Sequence, residues 1–226
     1  MLAVRDLSKR HGAFWALRGV TLDVVAGTST MLFGNNGAGK TTLVRLLASA
    51  STPSAGSIAW YGSAEPPRLR IAMLSHADGH YDDLSALEHL KMTESLLPRP
   101  GANVAARRSP AQLLDDVGLS PRGGSLVGTY SAGMRKRLAF ARLLQKNADL
   151  ILLDEPYSAL DPNGALLVDR LMMEFRALGR TVISSTHQVE RAAKHCDSAL
   201  QLAGGRVIWG GLASDAPVRV ADSEPG

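Results

Sequence analysis

The chain has a single cysteine, Cys196, in 226 residues. No internal disulfide is possible, and a reducing compartment suits it. No apolar run approaches the roughly 20 residues that a membrane-crossing helix needs. The first ten residues carry Arg5, Asp6, Lys9 and Arg10 without an apolar core, so no secretory signal is expected there. Neither sign of charge dominates. Lys and Arg number 25 against 21 Asp and Glu, a net charge of +4. That surplus suits a small anionic ligand or an anionic membrane face, and it is too small and dispersed for a nucleic-acid surface. No internal repeat is present. What remains is ordinary globular composition, with 45% hydrophobic and 20% charged residues, at a length that suits one large domain or two small ones.

The most informative stretch is Gly34-Asn35-Asn36-Gly37-Ala38-Gly39-Lys40-Thr41-Thr42. It fits the phosphate-cradling pattern G-x-x-x-x-G-K-[ST]. Ser29–Phe33 reads as a buried strand before it. After it, Leu43, Val44, Leu46 and Leu47 recur at helical spacing. Glycines let the backbone curl so that N–H groups converge on phosphate oxygens, and the following helix turns its positive end to the same anion. Lys40 is expected to reach the β- and γ-phosphates, and the Thr41 hydroxyl to ligate Mg²⁺.

Taken in order, Leu2–Leu7 and Val20–Val25 read as strands, followed by a turn at Gly27. Ser57–Tyr61 and Arg70–Leu74 are further strands. Ser85 caps a helix to about Leu97. Two prolines, one glycine and three arginines between Pro98 and Arg108 mark a connection. Ala111–Val117 and Ala132–Gln145, capped by Ser131, are helices. Leu150–Leu153 is an apolar strand. A helix runs from Pro162 to Leu178, Thr181–Ser185 is a strand, and Val189–His195 is a short helix. Ser198–Leu202 and Arg206–Trp209 close the chain as a hairpin. The expected fold is α/β: a phosphate-loop core with a mostly parallel sheet, an N-terminal antiparallel β part and a helical insert over about 84–145. One domain over 1–211 is expected, with a frayed polar tail over 212–226.

Asp154-Glu155 ends the apolar strand. Adjacent acids there are costly unless they have a task or partners. Beside a phosphate loop, Asp154 suits Mg²⁺ and Glu155 suits the role of general base toward water.

At this point the residues carry a family resemblance. Ser131-Ala132-Gly133-Met134-Arg135 resembles the signature motif of ATP-binding-cassette (ABC) ATPases. Leu150–Pro156 resembles the family's second phosphate-site strand, Ser158-Ala159-Leu160-Asp161 its D-loop, and Ser185-Thr186-His187 its switch histidine. The motifs stand in the family's order over about residues 2–209.

The resemblance implies that two cassettes pair head to tail, with ATP between the phosphate loop of one and the signature helix of the other. Ser131 and Gly133 would then meet the γ-phosphate, Asp161 would bridge to the partner's phosphate loop, and His187 would orient water. Two positions depart from the family. Where an adenine-stacking Tyr is usual stands His11, before Gly12, with Phe14 and Trp15 as substitutes. Where the Mg²⁺-ligating loop Gln is usual stands His76. Asp83-Leu84-Ser85-Ala86-Leu87-Glu88-His89-Leu90 is similar in shape to the haem-exporter ATPases of cytochrome c maturation.

The expected function is therefore ATP hydrolysis by a homodimeric subunit on the cytoplasmic face of the cell membrane. It would power export through a separate permease, haem-exporter-like, without nucleic acid. The alternatives are an exporter of drugs, glycans or other small molecules, or a soluble cassette of translation or chromosomes. Translation-type members carry two cassettes and chromosome-type members long coiled coils, and neither feature is present.

Overall fold

In the computed structural model of the chain, residues 2–75, 79–97 and 108–217 are described. Two sheets organise them. The first is antiparallel, in the order β2-β1-β4, from β1 (Leu2–His11), β2 (Phe14–Val24) and β4 (Ala55–Trp60). The second contains β3 (Ser29–Phe33), β5 (Ile71–Leu74), β6 (Leu150–Asp154), β7 (Thr181–Ser185), β8 (Ser198–Ala203) and β9 (Arg206–Leu212). Its order is β5-β6-β7-β3-β8-β9, parallel except for β9. Every residue of β3, β6 and β7 is buried. Both faces of a parallel sheet are covered, so β6 reads as an apolar run up to Asp154, while β3 and β7 also bury the small polar residues Ser29, Thr30, Thr181, Ser184 and Ser185.

The N-terminal hairpin is longer than its apolar pattern suggests. β1 continues through polar Ser8–His11, and His11 pairs with Phe14 across a two-residue turn. Gly12 there has φ +56, while Ala13 is not among the residues of positive φ. One positive φ at the first turn position is the II′ hairpin arrangement. These residues face solvent and need no hydrophobic alternation, so the pattern did not mark them. The hairpin carries His11 and Phe14 toward the phosphate loop.

Among its described residues, the insert between β5 and β6 contains the α-helices α2 (Ala86–Leu96), α3 (Pro110–Asp116) and α4 (Ala132–Gln145). Ser85 with Glu88 and Ser109 with Gln112 form reciprocal capping boxes, and Ser131 caps α4 through the Met134 N–H. Gln145 donates to Leu90 O at 2.8 Å, tying α4 to α2. The connection expected at 98–107 lies outside the described residues. The remaining helices are α1 (Lys40–Leu47), α5 (Pro162–Ala177) and α6 (Val189–Ala193).

Two apolar cores result. One lies between the two sheets around α1 and includes Leu17, Val44 and Leu152. The other, with Phe33, Phe140 and Phe175, packs the opposite face of the large sheet against α4 and α5. Cys196 lies in the second core, and burial pushes its thiol up to about 12, so it behaves as a packing group. At the C-terminus, β9 runs to Leu212 and Ala213 is buried. The folded chain therefore passes the expected end at 211, because Ala213 N bonds back to Asp197 O. No described helix is long and apolar enough to cross a membrane.

Candidate functional site

Strands β6, β7 and β3 are neighbours and parallel, so their C-terminal ends open on one edge of the sheet. In open α/β sheets that edge is where ligands sit. The phosphate loop follows β3, Asp154-Glu155 ends β6, and His187 follows β7. Topology alone thus gathers three segments distant in sequence.

The loop needs its glycines at two points. At Gly34 an added Cβ would lie 2.1 Å from Leu202 O. Gly39 has φ +104 and would place a Cβ 2.6 Å from Ala16 O, against the β2 hairpin strand. Lys40 is buried, and its Nζ donates to Gly34 O at 2.8 Å and Asn35 O at 3.1 Å. The ammonium therefore sits at the centre of the loop. Asn35, Asn36 and Gly37 face solvent, while Ala38 is buried and its N–H closes onto Asn35 O at 3.1 Å. A cleft of about 370 Å³ opens here, lined by Asn36 through Thr42, by Asp154 and Glu155, and by His11, Phe14 and Ala16 from the hairpin. Trp15 does not line it and carries Arg10 over its ring at 5.7 Å.

Asp154 is 1% exposed. Its Oδ1 accepts from Thr41 Oγ1 at 3.0 Å and from Ser185 Oγ at 2.7 Å. A buried carboxylate touching a hydroxyl at the mouth of a phosphate loop is an oxygen donor pair of the kind Mg²⁺ takes, with substrate phosphates completing the shell. Among the described residues no group of three or more His, Cys, Asp or Glu could hold a metal by itself. The pair Thr41 and Asp154 thus fits an ion shared with phosphate. His76 lies outside the described residues.

Glu155 has φ +49, a left-handed conformation costing a side-chain-bearing residue about 1–2 kcal/mol. The break has a consequence. Successive strand residues point to opposite faces, yet Asp154 and Glu155 both line the cleft. The Glu155 N–H is held by Ser185 O at 3.2 Å and Ser185 Oγ at 3.0 Å. The carboxylate then lies with Oε2 2.9 Å from His187 Nδ1 and Oε1 4.0 Å from Lys40 Nζ. Ser185 thus holds both acids, one by its hydroxyl hydrogen and the other by its oxygen. Sequence reasoning placed Ser185 only as part of the switch motif; its position between the acids becomes visible once β6 and β7 are in register.

A second network supports this edge. Tyr157, two residues past Glu155, donates to Asp169 Oδ1 at 3.0 Å. Asp169 also binds Arg191 Nε at 3.1 Å and faces His195 Nε2 at 3.3 Å. Burial, then Asp169, pushes the Tyr157 hydroxyl pKa up. The turn after Glu155 is thereby fastened to α6, which follows His187.

Ser131, Gly133 and Asp161 do not line the cleft. Ser131 accepts from Met134 N at 3.3 Å. A Cβ on Gly133 would meet Ala159 O at 3.3 Å. Asp161 caps α5 through Gly164 N at 2.7 Å and accepts from Arg137 Nη2 at 3.2 Å. These three residues form a separate group, at the start of α4 and the turn before α5.

Comparison with known proteins agrees with this geometry. The ABC transporter family profile matches residues 17–158. The Nod factor export ATP-binding protein I of Cupriavidus pinatubonensis is 34% identical over 95% of this chain and 67% of its own length. The cytochrome c biogenesis ATP-binding export protein CcmA of Paraburkholderia xenovorans is 34% identical over 83% of this chain and 90% of its own. A fluoroquinolones export ATP-binding protein of Mycobacterium tuberculosis is 34% identical over 99% and 74%. A solved ATP-binding subunit of an ABC transporter superposes with TM-score 0.84 at 30% identity, over 95% of this chain and 91% of its own. A dimeric cassette bound to ADP and Pi shares the fold, with TM-score 0.83 at 22% identity over 94% and 99%. The chain belongs to the ABC transporter family, as an ATP-binding subunit and ABC-type ATP hydrolase.

Proposed function

We propose that two copies of the chain bind two ATP molecules between them and hydrolyse them to drive export through a separate permease. The observation that carries the chemistry is the gathering of Lys40, Thr41, Asp154, Glu155 and His187 on one edge of the sheet. Gly34–Thr42 encloses the phosphates, with Lys40 between the β- and γ-groups and the α1 N-terminus behind them. Thr41 and Asp154 hold Mg²⁺, which when bound offsets phosphate charge. Glu155 accepts a proton from water as its oxygen bonds to the γ-phosphorus and the bond to the ADP oxygen breaks, giving ADP and phosphate. His187 orients that water beside Glu155. His11 or Phe14 stacks on adenine.

The separation of Ser131, Gly133 and Asp161 from the cleft supports the pairing. They are surplus to one chain's site and suited to the γ-phosphate and loop of a second. A cassette of the same fold is dimeric when bound to ADP and Pi, which is consistent with pairing. The subunit then works at the cytoplasmic face of the membrane, as one cassette domain.

Haem-exporter-like cargo is the leading reading. It is supported by the Asp83–Leu90 segment and by the CcmA relative, which this chain matches over 90% of that protein's length. A drug or glycan exporter is the second reading, supported by fluoroquinolone and Nod factor relatives at the same 34% identity.

The decisive experiment is Glu155→Gln. It keeps shape and removes the base, so ATP should bind uncleaved and light scattering should report a dimer only with ATP. Adding Ser131→Arg should return the monomer. A Glu155→Gln protein that stays monomeric at saturating ATP argues against the pairing.

A further inference from the structure

We propose that Lys136 is a positioning residue for ATP cleavage: from α4 it grips the backbone carbonyl of Glu155 and thereby sets where the carboxylate points. This rests on the reading of Glu155 as the base.

Lys136 lies five residues past Ser131 in the same helix and is only 4% exposed. Burying an ammonium is costly unless it is hydrogen-bonded. Its Nζ donates to Glu155 O at 2.8 Å and to Ser158 Oγ at 3.2 Å. Ser158 bonds to the same carbonyl twice, through Oγ at 2.9 Å and N–H at 3.2 Å. Three donors therefore converge on one oxygen, and the one from α4 is charged, the stronger kind.

The place of this contact gives it meaning. Glu155 and Ala159 both have positive φ, so the turn after β6 is held in a conformation that ordinary residues avoid. Ser185 pins the Glu155 N–H from one side, and Lys136 with Ser158 pins its carbonyl from the other. If φ relaxed toward extended values, strand alternation would swing the carboxylate from the Asp154 side of the sheet. It would leave His187 and Lys40. Among the described contacts of Lys136 and Ser158 none is to the phosphate loop, and the turn meets that loop through the Glu155 carboxylate, with Oε1 4.0 Å from Lys40 Nζ. Lys136 should therefore govern cleavage and not ATP affinity, and it links the start of α4 to the acid within the same chain.

The test uses full-length protein with Mg-ATP, reading phosphate release and ATP affinity for Lys136→Met, Lys136→Arg, Ser158→Ala, Glu155→Gln and Lys136→Met/Glu155→Gln. Expected is about a tenfold lower kcat for Lys136→Met, with ATP Kd within about twofold of wild type and most of the rate restored in Lys136→Arg. In the Glu155→Gln background, Lys136→Met should leave the residual single-turnover rate within about twofold, because the group it positions is gone. Wild-type kcat in Lys136→Met, or an equal loss in both backgrounds, overturns the proposal. If Lys136→Met does not fold, Ser158→Ala decides: a several-fold kcat loss at unchanged Kd supports it, and wild-type kcat overturns it. Wild-type turnover in Glu155→Gln refutes the assignment of the base itself, and the Lys136 proposal falls with it.

Discussion

His187 Nδ1 lies 2.9 Å from Glu155 Oε2, across the ends of two neighbouring parallel strands. The contact joins a half-buried acid to an exposed ring, with 18% and 60% of the side chains accessible. The ring is thus anchored by one nitrogen and leaves Nε2 toward solvent, where a γ-phosphate or its attacking water can meet it. His187→Ala should lower kcat by about 10²-fold, the lower end for loss of a positioned acid–base partner. ATP affinity should change little. Steady-state phosphate release beside equilibrium ATP binding checks the split. A fall in affinity equal to the fall in rate would place His187 in binding instead.

The loop makes a contrasting prediction. Lys40→Ala removes a buried ammonium from the centre of the loop. A lost charge-assisted bond is worth about 2–3 kcal/mol, or roughly 30- to 150-fold in Kd for Mg-ATP. Gly39→Ala should weaken binding as well, because its Cβ would press on Ala16 O and displace the hairpin. Calorimetric titration measures both, and an unchanged Kd in Lys40→Ala would remove the loop from phosphate binding.

Adenine recognition separates three aromatic candidates by position. His11 and Phe14 line the cleft, and Trp15 does not. Loss of a stacking ring costs about 1–3 kcal/mol per base. His11→Ala or Phe14→Ala should therefore weaken ATP binding roughly 5- to 150-fold, and Trp15→Ala should not. Equal affinity in all three variants would place adenine elsewhere.

The legible parts of the sequence and the hidden ones differ for physical reasons. Strand β6 announces itself because burial on both faces favours an apolar run, and β7 is marked by its β-branched Thr181, Val182 and Ile183. The caps Ser85 and Ser131 are visible because short polar side chains are the usual answer to free helical N–H groups, whereas Asp161 as the cap of α5 emerges from the structure. Lys136 carries no such mark in the sequence, where it stands between Arg135 and Arg137. Only the tertiary approach of α4 to the turn after β6 buries it. The same holds for the hairpin tip, where exposure removes any alternation, and for Ser185, whose role needs the register of two strands.

The last prediction concerns stability and pH. His89 in α2 is fully buried. Its Nε2 accepts from Tyr81 N at 3.3 Å, and its Nδ1 has no hydrogen-bond partner among the described residues. Burial first, then the neighbouring Arg142 and His80, lower its pKa from 6.5 to about 4. The ring is therefore neutral when folded and protonated more readily when unfolded. Between these two values the unfolded chain binds the extra proton, so stability falls as pH drops from about 6.5 toward 4. One proton over that window, discounted for screening by solvent, amounts to roughly 2 kcal/mol. His89→Gln keeps an acceptor for Tyr81 and does not titrate. Urea unfolding at pH 7 and pH 5 should show a larger loss in wild type than in His89→Gln. Other groups titrate in both proteins, so the difference between the two slopes is the quantity that reports His89. Parallel slopes would mean that this histidine protonates without disturbing the fold.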